Sequence, residues 1–282
     1  MQTAMVFSPH ADDAAAFCGG TLAKFAADGW RVILVRVTDD ARDSVGLTIE
    51  ETIKRNTEEL HVAGKALGVS EIVELGFPTD TLADVPETAL RERFVYLLRK
   101  YKPYTVFTFD PFAPFEGNLD HIRVAQAVEE GFWVACFDLH HPEHFEEGLA
   151  PFSVCERWYF ARHLSTPNHV EDITEYFPQR VSALAAHQTM MRNTVNQYRL
   201  QLQTSGRRSP MLDEAMTSDL APLLTGFLHA QASAVAEAHN LGEGRLGEAF
   251  RKVRFGDMEE FFEMASEPIP GADGPDVRGG RK

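Results

Sequence analysis

Short apolar runs separated by longer amphipathic stretches organise the first half of the chain. Residues 3–8 read as a strand built on Ala4-Met5-Val6-Phe7, and residues 13–28 as a helix stopping near Gly29. Arg31-Val32-Ile33-Leu34-Val35-Arg36-Val37 is a second strand, whose apolar centre predicts burial on both faces, as in a parallel sheet. Residues 49–67 place Ile53, Leu60, Ala63 and Leu67 at helical spacing, and Gly68 ends that run. A third strand at 71–75, a helix at 86–100 carrying Phe94, Leu97 and Leu98, a fourth strand at 104–109 and a helix over about 120–130 complete the alternation. This order predicts an α/β fold, a Rossmann-like parallel sheet flanked by helices with right-handed crossovers. No Gly-x-Gly-x-x-Gly follows the first strand, which argues against a dinucleotide site.

The second half is less regular. Residues 138–152 read as a loop rich in His, Pro and Glu, and Cys155-Glu156-Arg157-Trp158-Tyr159-Phe160-Ala161 as a strand. Residues 177–203 and 211–238 read as two long helices, and 248–253 as a last strand. The expected organisation is one α/β domain over 1–265 and a flexible Pro/Gly-rich tail over 266–282.

Composition narrows the class. The 282 residues carry a net charge of −15, from 42 acidic and 27 basic residues, with no basic stripe, so nucleic acid is not an expected partner. Cys18, Cys136 and Cys155 lie far apart without CxxC spacing, which fits buried thiols in a reducing compartment. No signal peptide and no apolar run of about 20 residues is found, so the expectation is a cytoplasmic protein without a membrane partner. A homo-oligomer is left open.

The chemistry concentrates at two strand ends. Pro9-His10-Ala11-Asp12-Asp13 follows the first strand, and Asn118-Leu119-Asp120-His121 follows the fourth. Ligands of open α/β sheets bind at the carboxyl ends of strands. An imidazole and a carboxylate three residues apart can turn toward one metal ion, with the second motif giving the third ligand. His10, Asp13 and His121 are the expected set for Zn²⁺, with Fe²⁺ or another divalent metal as the alternative, and Asp12 stays free as a base. The plainer reading is a helix N-cap, which explains one aspartate but not two behind a histidine. Asp120 and Asn118 are further catalytic candidates, Asn118 competing with a turn role. Of the other histidines, His140, His141 and His144 surround Pro142 and read as solvated or pocket-lining, and His187 reads as structural.

Together these two motifs resemble the PIG-L/LmbE-like family of metal-dependent N-deacetylases. Further matching fragments are Gly20-Thr21-Leu22-Ala23, Arg55-Asn56-Thr57-Glu58, Gly76-Phe77-Pro78-Thr79-Asp80, Ala183-Leu184-Ala185-Ala186-His187 and Glu248-Ala249-Phe250-Arg251. The resemblance implies hydrolysis of an N-acyl group, with the same three metal ligands, Asp12 as general base, and Arg55 and Asp80 on substrate hydroxyls. The chain departs from the family pattern at Ala14, where a Glu is common, at Asn118, where a His is usual, at Glu116, where a Tyr often lies, and at His187-Gln188-Thr189-Met190, which only partly matches His-x-Ser-Gln. The expected function is a zinc-dependent hydrolase removing an N-acetyl group from a small N-acylated substrate, an amino sugar or sugar-bearing metabolite. The alternatives are an amidase for a larger thiol-conjugate or natural-product amide, and an inactive metal-binding interaction module. The loops after strands two to four and residues 138–152 are expected to form the pocket, with Phe112, Phe115 and Trp133 as an apolar wall.

Overall fold

The computed structural model describes residues 1–270. Seven strands, β1 (Thr3–Ser8), β2 (Arg31–Thr38), β3 (Glu71–Phe77), β4 (Thr105–Phe109), β5 (Glu156–Phe160), β6 (His169–Asp172) and β7 (Gly247–Arg254), form one sheet in the order β3-β2-β1-β4-β5-β7-β6. The helices are α1 (Asp13–Ala27), α2 (Ile49–Ala66), α3 (Glu87–Tyr101), α4 (Leu119–Val134), α5 (Glu143–Glu146), α6 (Phe177–Ala186), α7 (Gln188–Thr204), α8 (Pro210–Ala215), α9 (Ala221–Ala238) and α10 (Glu259–Ala265).

Strands β1 to β5 run parallel, as the apolar pattern predicts. Their side chains alternate between two cores. Ala4, Val6, Leu34 and Phe107 meet Leu22 of α1, Leu60 of α2, Leu184 of α6 and Leu228 of α9 on one face. Met5, Phe7, Ile33 and Val106 meet Phe94 of α3 and Val128 of α4 on the other. Such two-sided burial is why these strands lack polar alternation.

The sheet is mixed rather than wholly parallel. β7 runs antiparallel to both β5 and β6. The edge strand β6 was not foreseen, because its four residues, His169-Val170-Glu171-Asp172, hold a single aliphatic side chain. Two expected long helices are each broken. Residues 177–203 split at buried His187, whose backbone (φ −78°, ψ 54°) ends α6 and starts α7. Neither Gly nor Pro marks that break. Residues 211–238 split before Pro222, which opens α9. The 138–152 loop contains the short α5. Of the proposed tail, residues 271–282 lie outside the described residues, and 266–270 carry no helix or strand. Among the described residues no helix is long and apolar enough to cross a membrane.

Candidate metal centre and its cavity

From β1 the chain progresses outward through β2 and β3, then returns to place β4 on the other side of β1. The sheet's direction of progression therefore reverses between β1 and β4, and a crevice opens at their carboxyl ends. Both motifs lie there. The Ser8 hydroxyl donates to the His10 carbonyl (2.6 Å) and accepts from Ala14 N–H (3.1 Å), folding the first motif back over the strand end. His10 N–H donates to the Asp13 carboxylate (2.9 Å), which ties the two candidate ligands to one another. The second motif begins α4, with the Asn118 side-chain oxygen accepting from Asp120 N–H (2.9 Å) as N-cap.

His10 Nδ1, His121 Nε2 and an Asp13 oxygen all lie within 4.8 Å of one another, and all three residues are buried. His10 Nδ1 is 3.1 Å from His121 Nε2 and 3.2 Å from Asp13 Oδ2, and His121 Nε2 is 3.3 Å from Asp13 Oδ1. The remaining ring nitrogens face carboxylates. His10 Nε2 lies 3.3 Å from Asp120, and His121 Nδ1 lies 3.4 Å from Glu116. With the outer nitrogens donating to these carboxylates, the inner lone pairs converge on one point, the usual arrangement of histidines that hold a metal.

The electrostatics fit a cation. Burial alone would depress the His10 pKa, but hydrogen bonds to Asp120 and Asp13 outweigh it and raise the pKa well above its ordinary value. His121 is raised in the same way, burial being outweighed by Asp13 and Glu116. Burial would raise the Asp13 carboxyl, yet His121 and His10 hold it low. Protein alone thus draws positive charge into this pocket as protons, and a divalent ion supplies the same charge without them. His10, Asp40 and Asp43 form a second close group. It shares His10, and the Asp40 carboxylate is occupied by Arg36 (3.3 Å) and Thr38 (2.9 Å).

Asp12 occupies the N-cap position of α1 but makes no cap hydrogen bond, so the plain capping explanation does not hold for it. It is half-buried and lines a cavity of about 610 Å³ together with His10, Asp13, Asn118, Asp120 and His121. Burial, and then the Asp13 charge, push its carboxyl up to about 8 in the absence of a cation. Asp120 accepts from Asp80 N–H (2.7 Å) and Leu82 N–H (3.2 Å) besides facing His10, so it fixes the loop after β3 as well as the His10 ring. Asp80, at φ 61°, lines the cavity.

Other expectations are redirected. Arg55 is exposed on α2 and lies outside the cavity lining, because the inward positions of that helix are taken by Thr52, Asn56 and Leu60. Phe112, Phe115 and Trp133 are 76%, 90% and 70% exposed and do not line the cavity, and neither does any residue of 138–152. His141, Glu143 and His144 approach one another. However, Arg99 donates to His144 Nδ1 (3.1 Å) and Glu92 faces Nε2 (2.9 Å), which occupies both nitrogens and sets a guanidinium against any cation. His187 is buried with both ring nitrogens unpartnered among the described residues, and burial pushes its pKa down to about 4. Three contributors were missed: Asp43 after β2, Arg162 after β5 and a face of α7. Arg162 pairs with Glu116, the residue standing where the family often has Tyr.

Fold and site together define an α/β protein with a two-histidine, one-aspartate centre at its switch point. Residues 5–132 match the family model described as PIG-L, GlcNAc-PI de-N-acetylase. The diacetylchitobiose deacetylase of Thermococcus kodakarensis is 27% identical over 187 residues, spanning 66% of this chain and 68% of that protein. In structure the chain resembles an N,N'-diacetylchitobiose deacetylase from Pyrococcus horikoshii, with TM-score 0.72, 22% identity, and 92% and 88% of the two chains covered. It also resembles the 4-carboxy-2-hydroxymuconate hydratase of Pseudomonas putida, with TM-score 0.63, 16% identity, and 90% and 96% covered. The chain is thus similar to the PIG-L family over residues 5–132 and shares the fold of these structures. Since a hydratase shares the architecture, the argument for chemistry falls on the site.

Proposed function

We propose that this chain is a zinc-dependent hydrolase that removes the acetyl group from an N-acetylated amino sugar or sugar-bearing metabolite, with Asp12 as general base. The observation that carries the reading is the unpartnered Asp12 carboxylate, open to the cavity beside three converging ligand atoms. The named activities of the similar deacetylases support it. His10, Asp13 and His121 would hold the metal, a donor set that suits Zn²⁺ and also admits Fe²⁺. When bound, such an ion polarises the amide carbonyl and makes water acidic enough to attack near neutral pH.

The chain's own groups complete the reaction. Asp12 takes a proton from the attacking water at a carboxylate oxygen. Protonated, it delivers that proton to the amine nitrogen as the C–N bond breaks and acetate leaves. Asn118 has its side-chain oxygen fixed by the α4 N-cap, which leaves its amide N–H groups to donate to the developing oxyanion. Asp80 accepts from a sugar hydroxyl. Asp120 touches His10 rather than the substrate and acts as a positioning residue. Arg55 has no part in this reading.

Acetate release from N-acetylated amino sugars by the metal-loaded protein tests it. Asp12→Asn should keep its metal and lose turnover by roughly 10²–10⁴-fold, because an amide cannot accept the proton. Hydrolysis by that variant at the parental rate would remove Asp12 from the mechanism. Metal binding without hydrolysis in the parent would favour a binding module instead.

A further inference from the structure

Almost every side chain that faces the cavity is polar. Of those lining it, Leu119 and Met190 alone carry neither nitrogen nor oxygen. Leu119 is 58% exposed and turns most of its surface to solvent. Met190 is 5% exposed and belongs to the apolar core that also holds Ala11 and Ala14, which flank Asp12 and Asp13. Its backbone is held in place, because the adjacent Thr189 donates to Glu59 of α2 through both its N–H (2.9 Å) and its hydroxyl (2.8 Å). This first turn of α7 begins at buried His187. Burial lowers the His187 pKa and the Asp13 charge acts against it, which sets the turn within electrostatic reach of that candidate ligand.

Residue 190 is also a place where the chain departs from the pattern it resembles. His-x-Ser-Gln reads His187-Gln188-Thr189-Met190 here. Thr189 keeps the hydroxyl, which Glu59 engages. Met for Gln changes the chemistry. Both side chains are unbranched with three rotatable bonds, so the exchange keeps the shape of the wall and removes a carbonyl acceptor and an NH₂ donor. A sugar hydroxyl beside a thioether would give up hydrogen bonds to water and gain none. Hydrocarbon beside it gains contact. On an N-acylated sugar the amine side carries the hydroxyls, whereas the acyl side carries hydrocarbon alone. The acyl chain is therefore the part of the substrate that suits Met190, and a flexible thioether adapts to chains of different length.

We infer that Met190 is a specificity residue for the acyl side of the substrate, and that the enzyme removes N-propionyl and N-butyryl groups as well as N-acetyl, their added methylenes lying against the thioether. This rests on the proposed deacetylation. The bonds are the same ones: the C–N bond breaks, water supplies the new C–O bond and the proton on the amine, and propionate or butyrate leaves in place of acetate.

The test is kcat/KM for release of the free amine by the zinc-loaded full chain. The substrates are the N-acetyl, N-propionyl and N-butyryl forms of glucosamine and of its β-1,4-linked disaccharide. Propionyl should exceed acetyl by about fourfold, the worth of one buried methylene. Met190→Gln should bring that ratio to one or below. Met190→Ala, which leaves more room, should raise the butyryl-to-propionyl ratio above the parent's. Because each ratio is taken within one preparation, loss of folded or metal-loaded protein cancels. A propionyl-to-acetyl ratio below one in the parent, or ratios that both variants leave unchanged, would overturn the inference. Hydrolysis of no substrate in either series would instead overturn the deacetylase reading itself.

Discussion

Each histidine of the proposed metal site has its own carboxylate behind it: Asp120 behind His10 and Glu116 behind His121. These partners set which nitrogen carries the proton and leave the inner lone pairs free. Glu116 also accepts from Asn118 N–H (3.0 Å) and is clamped by Arg162, so His121 is oriented by a braced group. Asp120→Asn and Glu116→Gln should each weaken zinc binding by about 10–100-fold in competition with a chelator. Unchanged affinity in both would show that the carboxylates only shape loops. His121→Ala should lose the metal outright, in contrast to the metal-retaining Asp12→Asn. The sequence made His10, Asp12, Asp13 and His121 legible because residues in strand-end motifs must share one crevice. It left the role of Glu116 hidden, since its partner Arg162 is 46 positions away in the chain.

At the scale of elements, α1 is two helical pieces joined at Cys18, whose backbone (φ −142°, ψ 18°) is not helical. The break frees N–H groups in the next turn, and buried Glu248 of β7 accepts from Gly20 N–H (2.9 Å), Thr21 N–H (2.8 Å) and the Thr21 hydroxyl (2.6 Å). Arg180 of α6 lies 3.1 Å from the same carboxylate. Gly20 is required because a Cβ there would stand 2.8 Å from Ile173. This clamp ties β7 and α6 to the helix that carries Asp13, which accounts for the Gly20-Thr21 and Glu248 fragments of the family pattern. Glu248→Ala leaves a buried guanidinium unpaired and should cost about 3–5 kcal/mol in denaturant unfolding. Loss of much less would mean that water replaces the carboxylate.

The regular elements of the first half were readable because two-sided burial writes continuous apolar strands. The break at His187 was not, since helical periodicity continues through it. The folded pKa of His187, about 4 against an ordinary 6.5, makes it sensitive to acid. Above pH 6.5 both states leave it neutral and it adds no pH dependence. As pH falls toward 4 the unfolded chain takes up a proton that the folded chain refuses, so stability drops, by about 3 kcal/mol once both states are protonated. The zinc-loaded His187→Leu variant should lack that part of the decline, read as the difference between the two proteins' unfolding free energies at pH 7 and pH 4. Parallel pH curves would contradict it.

For the whole molecule, strand order decides where chemistry sits. Placing β4 beside β1 brings residues 10–13 next to 118–121, over 100 positions apart, at one sheet edge. A face of α7, from the second half of the chain, also lines the cavity. That face was invisible in the sequence because Asn and Gln at helical spacing look the same whether they meet solvent or a ligand. The central claim, one metal at His10, Asp13 and His121 serving amide hydrolysis, is tested most directly by titrating metal-free protein with Zn²⁺ while following acetate release from N,N'-diacetylchitobiose. Activity should rise from zero and break at one equivalent. Full activity in the metal-free chain, or a break at two equivalents, would contradict the account.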